Sequence, residues 1–204
     1  TGFGDSPYQP FSAFAGQPLI ISLDHLKELR LLVDSDFYDM PTWNPEQVSY
    51  GDLIEFKSAL LKKAYERFSD TNYEDGISGN DELLAKFNDF CNNSKWLDDY
   101  ALFMAGKDYH EGMPWYMWED DLKKPNKTQK NKWMKKLDKE MGYYKFIQFL
   151  FNYEWTKLKK YANDKGISII GDIPIFMAWD SVDVWANQDL FLLDSKGYPT
   201  VVAG

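Results

Sequence analysis

Residues 166–174 read GISIIGDIP, and this stretch decides the fold that we predict. Residues 167–170 form a nearly continuous apolar run, which is typical of a parallel strand buried on both faces. Gly166 stands where glycine commonly ends a helix, and a very apolar helical pattern runs from residue 143 to about residue 161. Because a helix, a glycine and a buried strand follow one another, the stretch predicts an α/β fold.

Working back from this strand, the sequence predicts helices. A capping-box spacing, Asp52 with Glu55, precedes apolar residues at steps of three and four, namely Leu53, Phe56, Leu60, Ala64 and Phe68. Asn80 and Ser94 are predicted caps of two further helices, and a polar helix is predicted over residues 128–141. Residues 23–32 predict a short helix, and residues 18–23 are either a strand or an inward-packed loop. The centre of the chain is therefore a long helical insert without a strand signal.

Composition narrows the possible partners and the location. A formal net charge of −9 argues against sequence-independent nucleic-acid binding, which depends on Lys and Arg neutralising phosphates. No apolar run approaches the ~20 residues that cross a bilayer, so we expect no membrane partner. The first ten residues lack a signal-peptide pattern and Cys91 is the single cysteine, which together favour a cytoplasmic location. Aromatic residues reach 17%, and exposed aromatic rings are platforms for flat ligands such as sugar rings.

The predicted strand leads into the main candidate site residue, Asp172. Ligands of α/β folds bind beyond the carboxyl ends of parallel strands, so Asp172 is either a ligand contact or a strand-end carboxylate paired with Arg or with backbone groups. Asp180, Ser181 and Asp183 follow in the next loop, as ligand contacts or helix caps. Glu154 interrupts an apolar stripe, either as a buried acid or as a partner for Lys, Arg or a backbone group. His25 and His110 have no metal-ligand spacing, so we expect no metal and no cofactor.

Four blocks of sequence carry a family resemblance. They are GDSPYQ and FSAFAG within residues 4–16, WLDDYALFMA at 96–105, QFLF at 148–151, and a long block that begins at IIGDIPIF (169–176), continues through DS and DVWA (180–186) and ends in PTVVAG (199–204). In this order they resemble the 4-α-glucanotransferases, also called amylomaltases or disproportionating enzymes, which are glycoside hydrolases of the α-amylase clan. Because the blocks span nearly the whole chain, the resemblance is specific.

The resemblance implies a fold and a division of the chain. The fold is α/β, a partial (β/α)8 TIM barrel with a large, mainly helical insertion. Residues 1–22 would be a substrate-contacting loop and strand end, 23–142 the helical insertion, and 143–204 a barrel helix, a strand and the following loop. The chain would then be an internal fragment of one catalytic barrel domain.

The resemblance also implies an activity. A segment of an α-1,4-glucan or maltooligosaccharide would be transferred to the 4-hydroxyl of an acceptor, glucose or another maltooligosaccharide, by a retaining mechanism with two carboxylates. No nucleophile or acid/base motif occurs in the chain, so both are expected downstream of Gly204 and the chain alone is predicted to be inactive. Two alternatives stay open: an α-glucan hydrolase of the same clan, and a non-catalytic glucan-binding module.

Carried over position by position, the resemblance implies four substrate-binding residues, Ser6, Tyr8, Asp172 and Asp180. Phe3 stands where the family can have a tyrosine in a second glucan groove, and Ile54 stands at another such tyrosine. These two departures make the second groove doubtful. Glu154 stands where Gln is usual.

Overall fold

The computed structural model describes residue 6 and residues 8–70, 81–172 and 175–201. Within these residues the helices are α1 Leu23–Glu28, α2 Tyr50–Ser69, α3 Asp81–Asn93, α4 Leu97–Tyr109, α5 Asp120–Lys123, α6 Lys127–Lys136, α7 Asp138–Asp164 and α8 Val182–Ala186. Short 3-10 turns lie at Pro18–Ile20, Asp34–Phe37, Trp115–Met117 and Gln188–Leu190. The chain divides into two compact units, the first of Thr1–Gly16, Ser94–Lys145 and Leu158–Gly204, the second of Gln17–Asn93 and Phe146–Lys157.

The second unit has a core of aromatic rings from α2, α3 and the middle of α7. Phe68 stacks on Phe146 with ring centroids 4.8 Å apart, and it meets Phe87 edge-on at 5.3 Å. Phe87 in turn contacts Phe149 at 5.6 Å. The apolar stripe predicted for α2 includes Leu60 and Ala64, and both are buried, as is the adjoining Leu61. The period-3.6 pattern of α2 thus predicted its buried face correctly.

Polar groups attach the start of the second unit to its helices. The Glu154 carboxylate accepts the backbone N–H of Ser22 at 3.0 Å and lies 2.8 Å from Nδ1 of His25. Its partners are therefore a backbone group, which was one of the predicted alternatives, and a histidine. Lys57 Nζ donates to the carbonyl of Leu19 at 2.6 Å, and burial lowers the pKa of this ammonium group.

The first unit is built around α4. Leu97, Ala101, Leu102 and Phe103 are buried on it. Tryptophan rings surround the helix, with Phe103 at 5.4 Å from Trp118 and 5.9 Å from Trp185. Both of these indole N–H groups donate to a backbone carbonyl: Trp118 to that of Met113 and Trp185 to that of Leu122. Such pairing is what allows large amphipathic rings to form a core.

Several helix boundaries differ from the predicted ones. α1 ends at Glu28 and not at residue 32, α4 has Trp96 and not Ser94 as its N-cap residue, and two further differences concern α2 and α6. The predicted cap Asn80 lies outside the described residues. α2 begins at Tyr50 after Ser49, whose hydroxyl donates to Asp52 at 2.7 Å, so Asp52 lies in the first turn and is not the cap. The helix predicted over residues 128–141 is interrupted at Leu137, which has φ −110° and ψ 23° and is buried. α6 ends at Lys136 and α7 starts at Asp138, on either side of the buried Leu137, although no residue of this stretch is a helix breaker.

The end of α7 agrees with the prediction. Gly166 has φ +75°, a conformation that glycine adopts readily. Its N–H donates to the carbonyl of Asn163, and the N–H of Ile167 donates to that of Ala162. This pair of bonds is the Schellman motif, in which the last free carbonyl oxygens of the helix accept hydrogen bonds from the residues that follow it.

The strand expected at residues 167–170 is not formed. In the described residues this stretch is irregular, and the one ladder contact is an isolated antiparallel bridge between Leu193 and Pro199. Ile170 is 95% exposed, whereas a parallel strand would be covered on both faces. A strand needs neighbouring backbones to satisfy its N–H and C=O groups, and apolar β-branched residues cannot supply those partners.

No helix in the described part of the chain is long and apolar enough to cross a membrane.

Candidate functional site

A cavity of about 1150 Å³ lies in the first unit. Four pieces of chain form its wall: the described residues of the segment 6–11, the end of α4, residues 112–116 and the described residues of the segment 172–180. Its polar side chains are Ser6, Tyr8, Gln9, Lys107, Asp108, Tyr116, Asp172, Trp179 and Asp180. A large concave site with a few converging polar groups is the usual form of a small-molecule site.

All four predicted substrate-binding residues line this cavity. Ser6 and Tyr8 come from the first segment of the chain, and Asp172 and Asp180 come from the far end. Tyr8 is 61% exposed, and its N–H donates to the Ser6 hydroxyl oxygen at 3.2 Å. Asp172 is exposed as well, although its predicted position at the end of a buried strand implied desolvation.

Ile54, one of the two residues of the doubtful second groove, does not line this cavity. Phe3 lies outside the described residues. Ile54 lies on α2 of the second unit, where its side chain is 40% exposed. The second groove therefore stays an untested prediction.

Backbone contacts hold the first segment against α8. The Asp183 carboxylate accepts the N–H of Ala13 at 2.8 Å, and the N–H of Val182 donates to the carbonyl of Phe11 at 2.9 Å. Burial raises the pKa of Asp183, although the bond from Ala13 opposes this shift. The buried Ser12 hydroxyl accepts the N–H groups of Phe14 and Ala15 at 3.1 and 3.3 Å. The loop after Tyr8 is thus fixed by the residues that follow Asp180.

Asp180 forms the centre of a charged cluster in the cavity wall. One of its oxygens lies 2.6 Å from Nζ of Lys107, and the other accepts the backbone N–H of Trp115 at 3.3 Å. The Lys107 side chain is only 7% exposed and its ammonium lies 4.9 Å above the Phe11 ring. Because both oxygens of Asp180 accept bonds from the protein, the carboxylate ties α4 and the loop before Trp115 to the segment 175–180.

A second carboxylate, Asp108, lies beside this pair at the end of α4. It accepts the hydroxyl of Tyr144 at 2.6 Å. Burial, together with the neighbouring Asp108 charge, raises the pKa of Tyr144, so this hydroxyl stays protonated and donates. The cavity wall also contains aromatic rings, those of Phe11, Tyr116, Phe176 and Trp179. Carboxylates that accept hydroxyl groups and rings that cover flat C–H faces are a combination suited to sugars.

The sequence reasoning did not identify Lys107, Asp108, Tyr116 or Trp179 as site residues. One signal was present for Lys107, since it follows Tyr100 and Phe103 at steps of three and four and so belongs to the buried face of α4. A charge on a buried face needs a partner, which indicates a specific site. Tyr116 and Trp179 are 63 residues apart in the sequence and no local pattern connects them.

The described residues contain no group of three or more His, Cys, Asp or Glu side chains that could hold a metal ion.

Comparison with known proteins places the whole chain in one family. The family profile described as 4-alpha-glucanotransferase matches residues 1–202. The chain is 44% identical to the 4-alpha-glucanotransferase of Clostridium butyricum over 198 residues, which cover 96% of this chain and 38% of that protein. It is 42% identical to the 4-alpha-glucanotransferase of Thermus thermophilus over 204 residues, covering 100% of this chain and 39% of that protein.

A solved structure agrees with these sequence matches. The chain superposes on the amylomaltase from Streptococcus agalactiae, solved in complex with acarbose, with a TM-score of 0.88 and 34% sequence identity. The match covers 100% of this chain and 40% of the amylomaltase. The chain thus spans about two fifths of the length of the relatives that it matches, and it belongs to the 4-alpha-glucanotransferase family.

Proposed function

We propose that the complete protein is a 4-α-glucanotransferase, which transfers a segment of an α-1,4-glucan to the 4-hydroxyl of glucose or a maltooligosaccharide. The observation that carries this proposal is the single cavity in which Ser6, Tyr8, Asp172 and Asp180 meet, in a chain of this family. The amylomaltase that the chain resembles was solved with acarbose, and we infer that acarbose binds in the corresponding cavity here. A cytoplasmic location is part of the same proposal.

The proposed fold is a part of a (β/α)8 barrel. The division into residues 1–22, 23–142 and 143–204 belongs to this proposal, with residues 167–170 as a barrel strand once neighbouring strands pair with it. The exposure of Ile167 and Ile170, at 59% and 95%, supports it because these side chains are available for burial.

In the proposed reaction, this chain binds and orients the glucan. Ser6, Tyr8 and Gln9 offer hydroxyl and amide groups to sugar hydroxyls, and Asp172 accepts hydrogen bonds beside them. Asp180 acts through the bonds that hold the wall together. The nucleophile and the acid/base carboxylate would be supplied by residues beyond Gly204, about 5 Å apart as retaining glycoside hydrolysis requires. The 204-residue chain alone would then be inactive.

Replacing Asp172 tests the proposal. In the complete protein, Asp172→Ala should lower kcat for disproportionation of maltotriose by about 100-fold or more, because an electrostatic contact to the reacting sugar is lost. Product analysis by chromatography follows glucose and the longer maltooligosaccharides over time.

The matched control is Asp39→Ala, since Asp39 is an exposed carboxylate of the second unit. Near-normal turnover by Asp172→Ala would refute the role of Asp172. If the unmodified protein releases glucose without forming longer chains, it is a hydrolase; if it binds maltotriose without turnover, it is a binding module.

A further inference from the structure

Two aromatic side chains of the cavity wall form a close stack. The rings of Tyr116 and Trp179 are nearly parallel, with an angle of 8° and centroids 3.8 Å apart. Tyr198 leans against both, at 5.4 Å from Tyr116 and 5.2 Å from Trp179. We call the pair Tyr116 and Trp179 the aromatic stack.

The aromatic stack is held in place by hydrogen bonds from its neighbours. The indole N–H of Trp179 donates to the carbonyl of Gly197 at 2.9 Å, and the indole N–H of Trp115 donates to the carbonyl of Trp179 at 2.8 Å. Trp115 is fully buried, and its backbone N–H is bonded to Asp180. Because the rings are already oriented, a ligand that stacks on them loses little free energy in ordering them.

A purely structural role does not account for this arrangement. Core rings of the first unit, such as Trp115 and Trp118, are buried by protein on all sides, whereas Tyr116 and Trp179 are half-buried. The surface that they keep open borders the cavity. Because each ring covers one face of the other, the pair offers a ligand in this space of about 1150 Å³ the outer surface of the stack and the ring edges.

The chemistry beside the aromatic stack selects the class of ligand. A pyranose ring has a flat C–H face and a rim of hydroxyls, so it binds best where an aromatic surface and hydrogen-bond acceptors are adjacent. The Asp108 carboxylate, also in the wall, retains acceptor capacity beyond its single bond from Tyr144, since an ionised carboxylate has about four acceptor positions. A nucleotide or other anion would be repelled by Asp108, Asp172 and Asp180, because these carboxylates outnumber Lys107, the one cation among the described residues of the wall.

We propose that the aromatic stack is a sugar-stacking subsite, which binds one glucosyl ring of an α-1,4-glucan against Tyr116 and Trp179. This assignment rests on the proposed glucan substrate. The subsite holds substrate and transition state equally, because it contacts a sugar ring away from the bond that breaks. Its loss therefore raises KM and leaves kcat unchanged.

Steady-state kinetics of the complete protein with maltoheptaose tests the subsite. Trp179→Ala should raise KM by about 5-fold to 10-fold with kcat within about 2-fold of the parent, as the loss of one aromatic contact implies. Trp179→Phe, which keeps a ring, should restore KM to within about 2-fold of the parent. Trp155→Ala is the matched control, because Trp155 is a part-exposed tryptophan of the second unit and does not line the cavity.

A binding measurement that needs no turnover completes the test. In protein labelled with 5-fluorotryptophan, the fluorine resonances of Trp179 and Trp155 are assigned by their disappearance in Trp179→Phe and Trp155→Phe. Maltoheptaose should shift the Trp179 resonance and should leave the Trp155 resonance where it is. Tyr116→Ala, which keeps the hydrogen bonds of Trp179, should weaken this shift; it serves as the second variant if Trp179→Ala does not fold.

The outcomes separate the subsite from the proposed activity. If the parent protein transfers glucosyl segments but Trp179→Ala keeps the parent KM and no resonance shifts, the subsite does not exist. A fall in kcat at constant KM would also overturn it. If the parent shows no transfer while the Trp179 resonance shifts with maltoheptaose, the proposed activity fails and the subsite stands.

Discussion

At the scale of single residues, the cavity depends on side chains whose roles are set by their partners. Asp180 and Asp172 were both predicted to bind substrate, yet they differ in the structure. Asp180 bonds to Lys107 and Trp115, whereas Asp172 is exposed in the same cavity. These two aspartates are eight positions apart in one block of sequence. We propose that Asp180 holds the wall together and that Asp172 contacts the sugar.

Gly197 shows how closely the wall is packed. Its φ of +87° disfavours any residue with a Cβ atom, and a Cβ at this position would lie 2.8 Å from the Trp115 ring. Gly197→Ala should therefore lower the free energy of unfolding by about 1–3 kcal/mol, because both the backbone and the fully buried ring resist the change. Urea unfolding followed by tryptophan fluorescence measures it.

A control for Gly197→Ala is present in α2. Gly51 has no heavy atom within 4 Å of a built Cβ and does not have a positive φ, so Gly51→Ala should be neutral or stabilise the protein by up to about 1 kcal/mol. Equal changes in the free energy of unfolding for Gly197→Ala and Gly51→Ala would contradict the packing described around Trp115.

At the scale of elements, ion pairs determine how the loops join the helices. Arg67 of α2 makes a two-pronged contact with Asp36, one bond of which, from Nη2 to Oδ1, measures 3.0 Å, and Nη1 also donates to the carbonyl of Leu31 at 3.0 Å. The sequence predicted α2 from its apolar stripe, but it could not predict this contact, which joins residues 31 positions apart. A local pattern indicates which face of a helix is buried, but it carries no information on which distant residue a charged side chain will contact.

The Arg67 contact makes stability depend on pH. The hydrogen bonds from Arg67 lower the pKa of Asp36 from 3.8 to about 2 against the opposing effect of burial. A carboxyl whose pKa is lower in the folded state stabilises the fold above its unfolded pKa, and this stabilisation disappears as the pH falls from about 4 to 2. The shift corresponds to about 2 kcal/mol.

Urea unfolding of the parent and of Asp36→Asn between pH 6 and pH 2 checks this. The variant should be less stable by about 2 kcal/mol at pH 6, and the difference should shrink towards pH 2. Asp39→Asn, at an exposed carboxylate nearby in sequence, should keep a constant difference from the parent across the range. If the difference in unfolding free energy between the parent and Asp36→Asn does not change with pH, the ion pair does not stabilise the fold in this way.

At the scale of the whole molecule, the large exposed apolar side chains concentrate after α7. Ile167, Ile170, Ile175 and Phe176 are 59, 95, 89 and 61% exposed. Large apolar side chains that are exposed to this extent favour association in water. Ile170 and Ile167 belong to the stretch that predicts a buried strand, so the same residues explain both the sequence pattern and the exposed patch.

The 204-residue chain should therefore self-associate as its concentration rises, and Ile167→Lys with Ile170→Lys should reduce this association. Sedimentation velocity over a concentration series provides the measurement. Ile54→Lys, at a 40% exposed position on α2, is the control and should leave association as it is in the parent. A parent chain that stays monomeric at every concentration would show that the patch does not associate.

The sequence alone determined the family, the helical centre of the chain and the four residues expected to contact sugar. It did so because an apolar stripe, the Gly166 stop and a motif that resembles a family's are each local patterns of a few residues. Only the tertiary structure decided that α6 ends at the buried Leu137, that residues 167–170 lie exposed, and that Lys107 and the aromatic stack share a cavity with Asp172. These features depend on contacts between residues far apart in the chain, and burial, strand pairing and ring stacking arise only when folding brings such residues together.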